Sequence, residues 1–208
     1  MNKKQLITGV IIIGLGLGVG WSFIGNHTGH MQTDSSHNDH LGHSHSMHQN
    51  DHQSMKSKKM VVPDLFRSVL DKTFMGYFSM QHALSKDSLT NAKKALPSIS
   101  ETINKQIELS GMTKTLWQTE KTKLNKTLMA IQKTQSIKEA RLLFESFSMN
   151  MEVLAVHFGG PKNQHIAKYH CQMVDGDRGA SWLQNTEGTQ NPYFGSQMYR
   201  CGSKVKDL

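Results

Sequence analysis

The chain has 208 residues, enough for one domain with a real core plus additional segments. Only 37% of it is hydrophobic, and the formal charge of +8 is concentrated between residues 56 and 168, where 18 Lys and Arg stand against 9 Asp and Glu. Those lysines are scattered at helical spacing with no interleaved aromatics and no recognised nucleic-acid motif. They read as solvated helix faces, and nucleic acid is not an expected partner.

Residues Leu6 to Ile24 form an apolar run interrupted only by Thr8, Ser22 and glycines, and Lys3 and Lys4 precede it. About 19–20 helical residues at ~1.5 Å each span the ~30 Å hydrocarbon core. The run is longer than the core of a cleavable signal and has no A-x-A site after it, which favours an uncleaved anchor at residues 1–25 over a signal peptide. With the positive flank in the cytoplasm, the rest of the chain lies outside it. The expected location is a bacterial inner membrane, single-pass, with the soluble part in the periplasm, or free in the periplasm if the segment is cleaved.

Residues 26–60 are polar and hold eight histidines, His27, His30, His37, His40, His43, His45, His48 and His52, with Met31, Met47, Met55 and Met60 in or beside them. Too little apolar surface is present to offset ordering entropy, so disorder is expected. Neutral imidazole binds copper, zinc and nickel. The HxxH and HxH spacings of His37, His40, His43, His45 and His48 make short chelate loops with little closure cost. This segment is expected to capture Cu(II) or Zn(II) weakly at several sites.

From Pro63 the apolar period becomes helical. One amphipathic stretch runs through Leu65, Val69, Phe74, Tyr77 and Leu84. A second spans about Asp87 to Leu109, with Pro97 set to kink or split it and Gly111 to stop it. A third covers about Thr113 to Lys133. The fourth opens on the capping box Ser136-x-x-Glu139 and ends at Gly159-Gly160-Pro161. Four helices with short connections predict an all-α antiparallel four-helix bundle over residues 61–168, with residues 169–208 as an irregular C-terminal cap and no strand-rich region. Met75, Met80, Met129, Met149 and Met151 read as core filler, and His82 and His157 as structural or surface residues.

The cap contains both cysteines of the chain, in the clusters His170-Cys171-Gln172-Met173 and Met198-Tyr199-Arg200-Cys201. In an extended chain Cys171 and Met173 point to one side, and Met198 and Cys201 meet across one turn. Together they would offer two thiolates and two thioethers, with His170 as a fifth group. Soft sulfur donors select Cu(I), whereas zinc rarely takes methionine. A Cys171–Cys201 disulfide is the alternative. It would close a loop of about 31 residues, worth on the order of 3–4 kcal/mol in the chain-entropy treatment. Trp182-Leu183 and Asn191-Pro192-Tyr193-Phe194-Gly195 read as a turn and an apolar lid. No CxxC, no nucleophile with a base and orienter, and no phosphate loop occur, so an enzyme is not expected.

The succession YHCQM, WL, NPYFGSQM and CG resembles a bacterial domain of formerly unknown function, found alone and fused to periplasmic adaptor subunits of Cus-type copper/silver efflux pumps. Its form is close to Y-x-C-P-M … W-L … N-P-Y-[FY]-G-x-x-M-x-x-C-G, and the resemblance covers about residues 63–203. It implies Cys171, Met173, Met198 and Cys201 as the shared soft residues, and Gln172 departs from the usual proline. The hairpin and barrel segments of an adaptor are lacking, so the resemblance implies metal resistance or delivery rather than pump assembly. The expectation is a periplasmic heavy-metal protein for scavenging, delivery or efflux-linked resistance, with metal ions, the membrane and efflux proteins as partners. The alternative is a structural accessory of an efflux complex with a plain disulfide.

Overall fold

The computed structural model describes residues 59–208. The expected anchor and the histidine segment, including His37, His40, His43, His45 and His48, lie outside the described residues. Among the described residues no helix is long and apolar enough to cross a membrane.

Five helices come first: α1 (Asp64–Ser85), α2 (Leu89–Lys94), α3 (Leu96–Ile103), α4 (Gly111–Lys133) and α5 (Ile137–Phe158). Helices α2 and α3 are the two halves of the expected second helix, divided at Ala95, with Pro97 in the first turn of α3. There the missing N–H costs nothing. Gly111 does not stop a helix. It opens α4 at φ +55°, after Ser110 in extended conformation. Ser136 caps α5 by accepting from the Glu139 N–H at 3.4 Å, and Glu139 turns to the Thr134 hydroxyl.

The long helices pack through rings. Phe66 lies 5.0 Å from Trp117 and 5.2 Å from Phe158, both edge-on, and Tyr77 stacks on Phe144 at 5.2 Å. Met80 and Met151 are fully buried core residues, whereas Met75, Met129 and Met149 are 44%, 61% and 62% exposed and do not fill the core. At Gly76 a side chain would run into Ile99, so the glycine sets the approach of α1 and α3.

Beyond α5 a small sheet overturns the all-α expectation. Strands β1 (Ala167–Cys171), β2 (Ala180–Gln184) and β3 (Ser203–Asp207) form an antiparallel sheet in the order β2-β1-β3. The glycine-rich stretch predicted as an irregular cap is the set of turns between these strands. Each strand has only five residues, too few for a strong two-residue period to emerge. Ala167, Tyr169 and Cys171 are nonetheless buried in alternation with half-buried Lys168 and His170. On the face of β1 that carries Lys168, Lys168 pairs with Glu152 of α5 at 2.8 Å. Tyr77 ties helix to sheet: its hydroxyl meets Ser148 at 2.9 Å and accepts the Leu183 N–H at 2.9 Å. Burial holds this phenol well above its ordinary pKa, so it serves as a neutral hydrogen-bonding post. The edge strand β3 is exposed along all five residues.

Candidate functional site

Register places the site. Cys171 is the last residue of β1 and faces Ala180 of β2. Tyr169 and Trp182 are direct partners, so they share one face, and their rings stack at 5.6 Å. Cys171, two residues on from Tyr169, belongs to that same face and is 0% exposed. Residues 185–202 fold over it.

That covering segment is organised by Asn191, itself fully buried. Its side-chain oxygen accepts the N–H groups of Tyr193 (2.8 Å) and Phe194 (3.2 Å), which makes the Asn-Pro turn. Its side-chain nitrogen donates to the Cys201 carbonyl at 3.0 Å, and its backbone N–H donates to Tyr199 O at 2.9 Å. One side chain thus ties the start of the loop to its end. A 3-10 turn at Gly195–Met198 comes next, and the Cys201 N–H closes onto Met198 O at 2.9 Å. Gly202, at φ +107°, lets the chain pass close over the sheet: a Cβ there would sit 2.8 Å from both His170 O and the Trp182 ring.

Because Ser203 pairs with His170 and Gly202 passes over the His170 carbonyl, Cys201 lies beside Cys171. Both are free thiols, Cys171 buried and Cys201 partly covered. Burial pushes the Cys201 thiol up to about 11, and its hydrogen bond and charge interaction with Cys171 push the same way. Cys201 therefore stands protonated at neutral pH, and a metal taking its sulfur would displace that proton.

The other expected donors are placed differently. Met198 is half-buried and one turn from Cys201. Gln172 and Met173 lie in the turn after β1, where strand alternation no longer applies, and Met173 is 53% exposed. His170 alternates to the opposite face of β1 from Cys171, and its Nδ1 is 3.0 Å from Ser181 Oγ. Gly179 permits this, since a Cβ there would collide with His170 Nε2. Among the described residues no three or more His, Cys, Asp or Glu side chains come together as a metal cluster.

An ion pair fastens the covering loop to the helices. Arg141 of α5 donates to Asp87 at 2.5 Å, to Leu84 O at 2.9 Å and to Pro192 O at 2.9 Å, and the Ser196 N–H donates to Asp87 at 3.0 Å. The hydrogen bonding at Ser196, then that from Arg141, lowers the Asp87 pKa to about 2. Sequence reasoning does not single out Asp87, Gly202 or the Asn191 side chain as parts of the site. The Asn-Pro and Cys-Gly pairs are the available signals.

No curated protein and no solved structure matches the chain. Residues 73–163, from within α1 to just past α5, match the family model described as a protein of unknown function (DUF3347). The similarity therefore rests on the helical part and stops short of both cysteines.

Proposed function

We propose that this domain binds a soft monovalent metal ion, Cu(I) above all, through the thiolates of Cys171 and Cys201 with the Met198 thioether as a further donor. The observation that carries the reading is the meeting of two cysteines thirty positions apart, with a methionine one turn from one of them. Two thiolates suffice for Cu(I) or Ag(I), whereas zinc takes four ligands from Cys, His and carboxylates. His170 lies on the other face of the strand, so it supports the site from β1 rather than completing it. The biological role is metal scavenging, delivery or efflux-linked resistance outside the cytoplasm. The N-terminal segment holds the chain to the membrane, and the histidine segment takes up Cu(II) or Zn(II) weakly. An association with Cus-type efflux systems belongs to the same proposal and is supported by the C-terminal motif alone.

The test is anaerobic competition between the reduced full-length protein and the Cu(I) chelator bicinchoninate. Cys171→Ser and Cys201→Ser each weaken the tightest site by about 100-fold or more, and Met198→Leu by about tenfold. Unchanged affinity in both cysteine variants removes the site from the reading.

A further inference from the structure

The two sulfurs differ in a way that metal binding does not require. Cys171 is fixed in a strand and wholly shielded, whereas Cys201 sits on the covering loop and is only partly covered. No third cysteine exists anywhere in the chain to compete. We infer that Cys171 and Cys201 form an ordered thiol–disulfide exchange site, in which Cys201 receives an external disulfide and Cys171 resolves it.

The substrate class is a low-molecular-weight or protein disulfide, RS–SR, small or flexible enough to reach Cys201. Cys201 Sγ attacks one sulfur of RS–SR and its proton goes to solvent. The RS–SR bond breaks, and one RS⁻ leaves and is protonated. Cys171 Sγ, already in contact with Cys201, then attacks the Cys201 sulfur of the mixed disulfide. It loses its proton in turn, and the second RS⁻ leaves and is protonated. In sum, two protein thiols and one disulfide become one internal Cys171–Cys201 bond and two RSH, with two electrons passing to the reagent. The order is set by access and not by acidity, since burial raises the Cys201 thiol: an incoming molecule reaches the half-covered sulfur, and only the neighbouring buried one can displace it. The bond so formed and a bound Cu(I) exclude each other, since a disulfide offers no thiolate. This inference uses the same two sulfurs as the copper reading but does not depend on it.

The experiment treats the reduced full-length protein with oxidised glutathione, with acid quenching and mass mapping of each cysteine. The wild type is expected to lose two hydrogens and release two glutathiones per chain. Cys171→Ser is expected to stop at one glutathione on Cys201, and Cys201→Ser to react at Cys171 about tenfold or more slowly. Should a variant fail to fold, sub-stoichiometric iodoacetamide on the folded wild type reads the same order, with Cys201 alkylated first. Equal reactivity of the two cysteines, Cys171 reacting first, or a wild type that halts at the mixed disulfide overturns the inference. The two readings fail separately. A reduced chain that closes the bond but does not hold Cu(I) sinks only the copper reading. One that holds Cu(I) but reacts in the opposite order sinks only this one.

Discussion

At Gly202 two constraints coincide: a backbone φ of +107° and a clearance that leaves no room for a methyl group between the His170 carbonyl and the Trp182 ring. Gly202→Ala is expected to cost about 1–3 kcal/mol from the backbone alone. Because the residue adjoins Cys201, it also moves that sulfur off Cys171. Urea unfolding reads the first effect. The second appears as slower closure of the internal disulfide in those variant molecules that remain folded. Asn191→Ala acts by a different route: it leaves the Tyr193 and Phe194 N–H groups and the Cys201 carbonyl without their partner, and a loss of about 1–3 kcal/mol is expected in the same measurement. At this scale the soft residues were legible in the sequence, because cysteine and methionine announce their chemistry. Their arrangement was not. Cys171 and Met173 looked like same-side neighbours only if the chain stayed extended, and it turns at Gln172. His170 looked like a ligand by adjacency, yet one step along a strand reverses the face.

The helical elements were readable because their apolar residues recur every three to four positions over twenty or more residues, as in α1, α4 and α5. The sheet was not, because its pairing joins β1 to β3 across more than thirty residues, each strand is only five residues long, and β3 is exposed throughout. The alternation in Ala167-Lys168-Tyr169-His170-Cys171 was the one local sign, and dense neighbouring turns obscured it. Between these elements the Asp87–Arg141 pair acts as a clasp, and its pH behaviour has a definite sign. A carboxyl whose folded pKa is depressed contributes stability above its unfolded value, near 3.8, and loses it as pH falls toward about 2. Since Asp87 is partly solvent-exposed, the effect is modest. Thermal unfolding of wild type and Asp87→Asn is expected to differ at neutral pH, with the gap narrowing through that window and closing below it. A gap that stays constant from neutral pH down to pH 2 would show that the carboxylate charge contributes nothing to the clasp.

Among the described residues, one apolar core runs from Phe66 and Trp117 among the helices through Tyr77 and Phe144 to Trp182 and Tyr193 beneath the cap. Tyr193 makes the joint visible, its ring 6.1 Å from Phe144 and 6.0 Å from Trp182. Helices and sheet are therefore expected to unfold in one transition. Far-ultraviolet and near-ultraviolet circular dichroism should give coincident denaturation curves, and an earlier loss of the aromatic signal would divide the domain in two. Removing residues 26–57 should leave that transition unmoved and lower the number of metal ions bound while sparing the tightest one. Loss of the tightest ion would transfer the main site to the histidines.

The open flank of β3 has a bearing on how copies of this protein meet. A strand at the margin of a sheet offers its spare amides and carbonyls to any passing chain, and self-association along that margin is the usual hazard. Here two ammonium groups, Lys204 and Lys206, punctuate five solvent-facing residues. Juxtaposing two such margins would crowd these lysines together and set them against their present partners, Asp207 at 2.5 Å from Lys204 and Glu152 at 3.7 Å from Lys206. Replacing both lysines by valine should turn a self-avoiding border into an adhesive one, seen as concentration-dependent growth in light scattering.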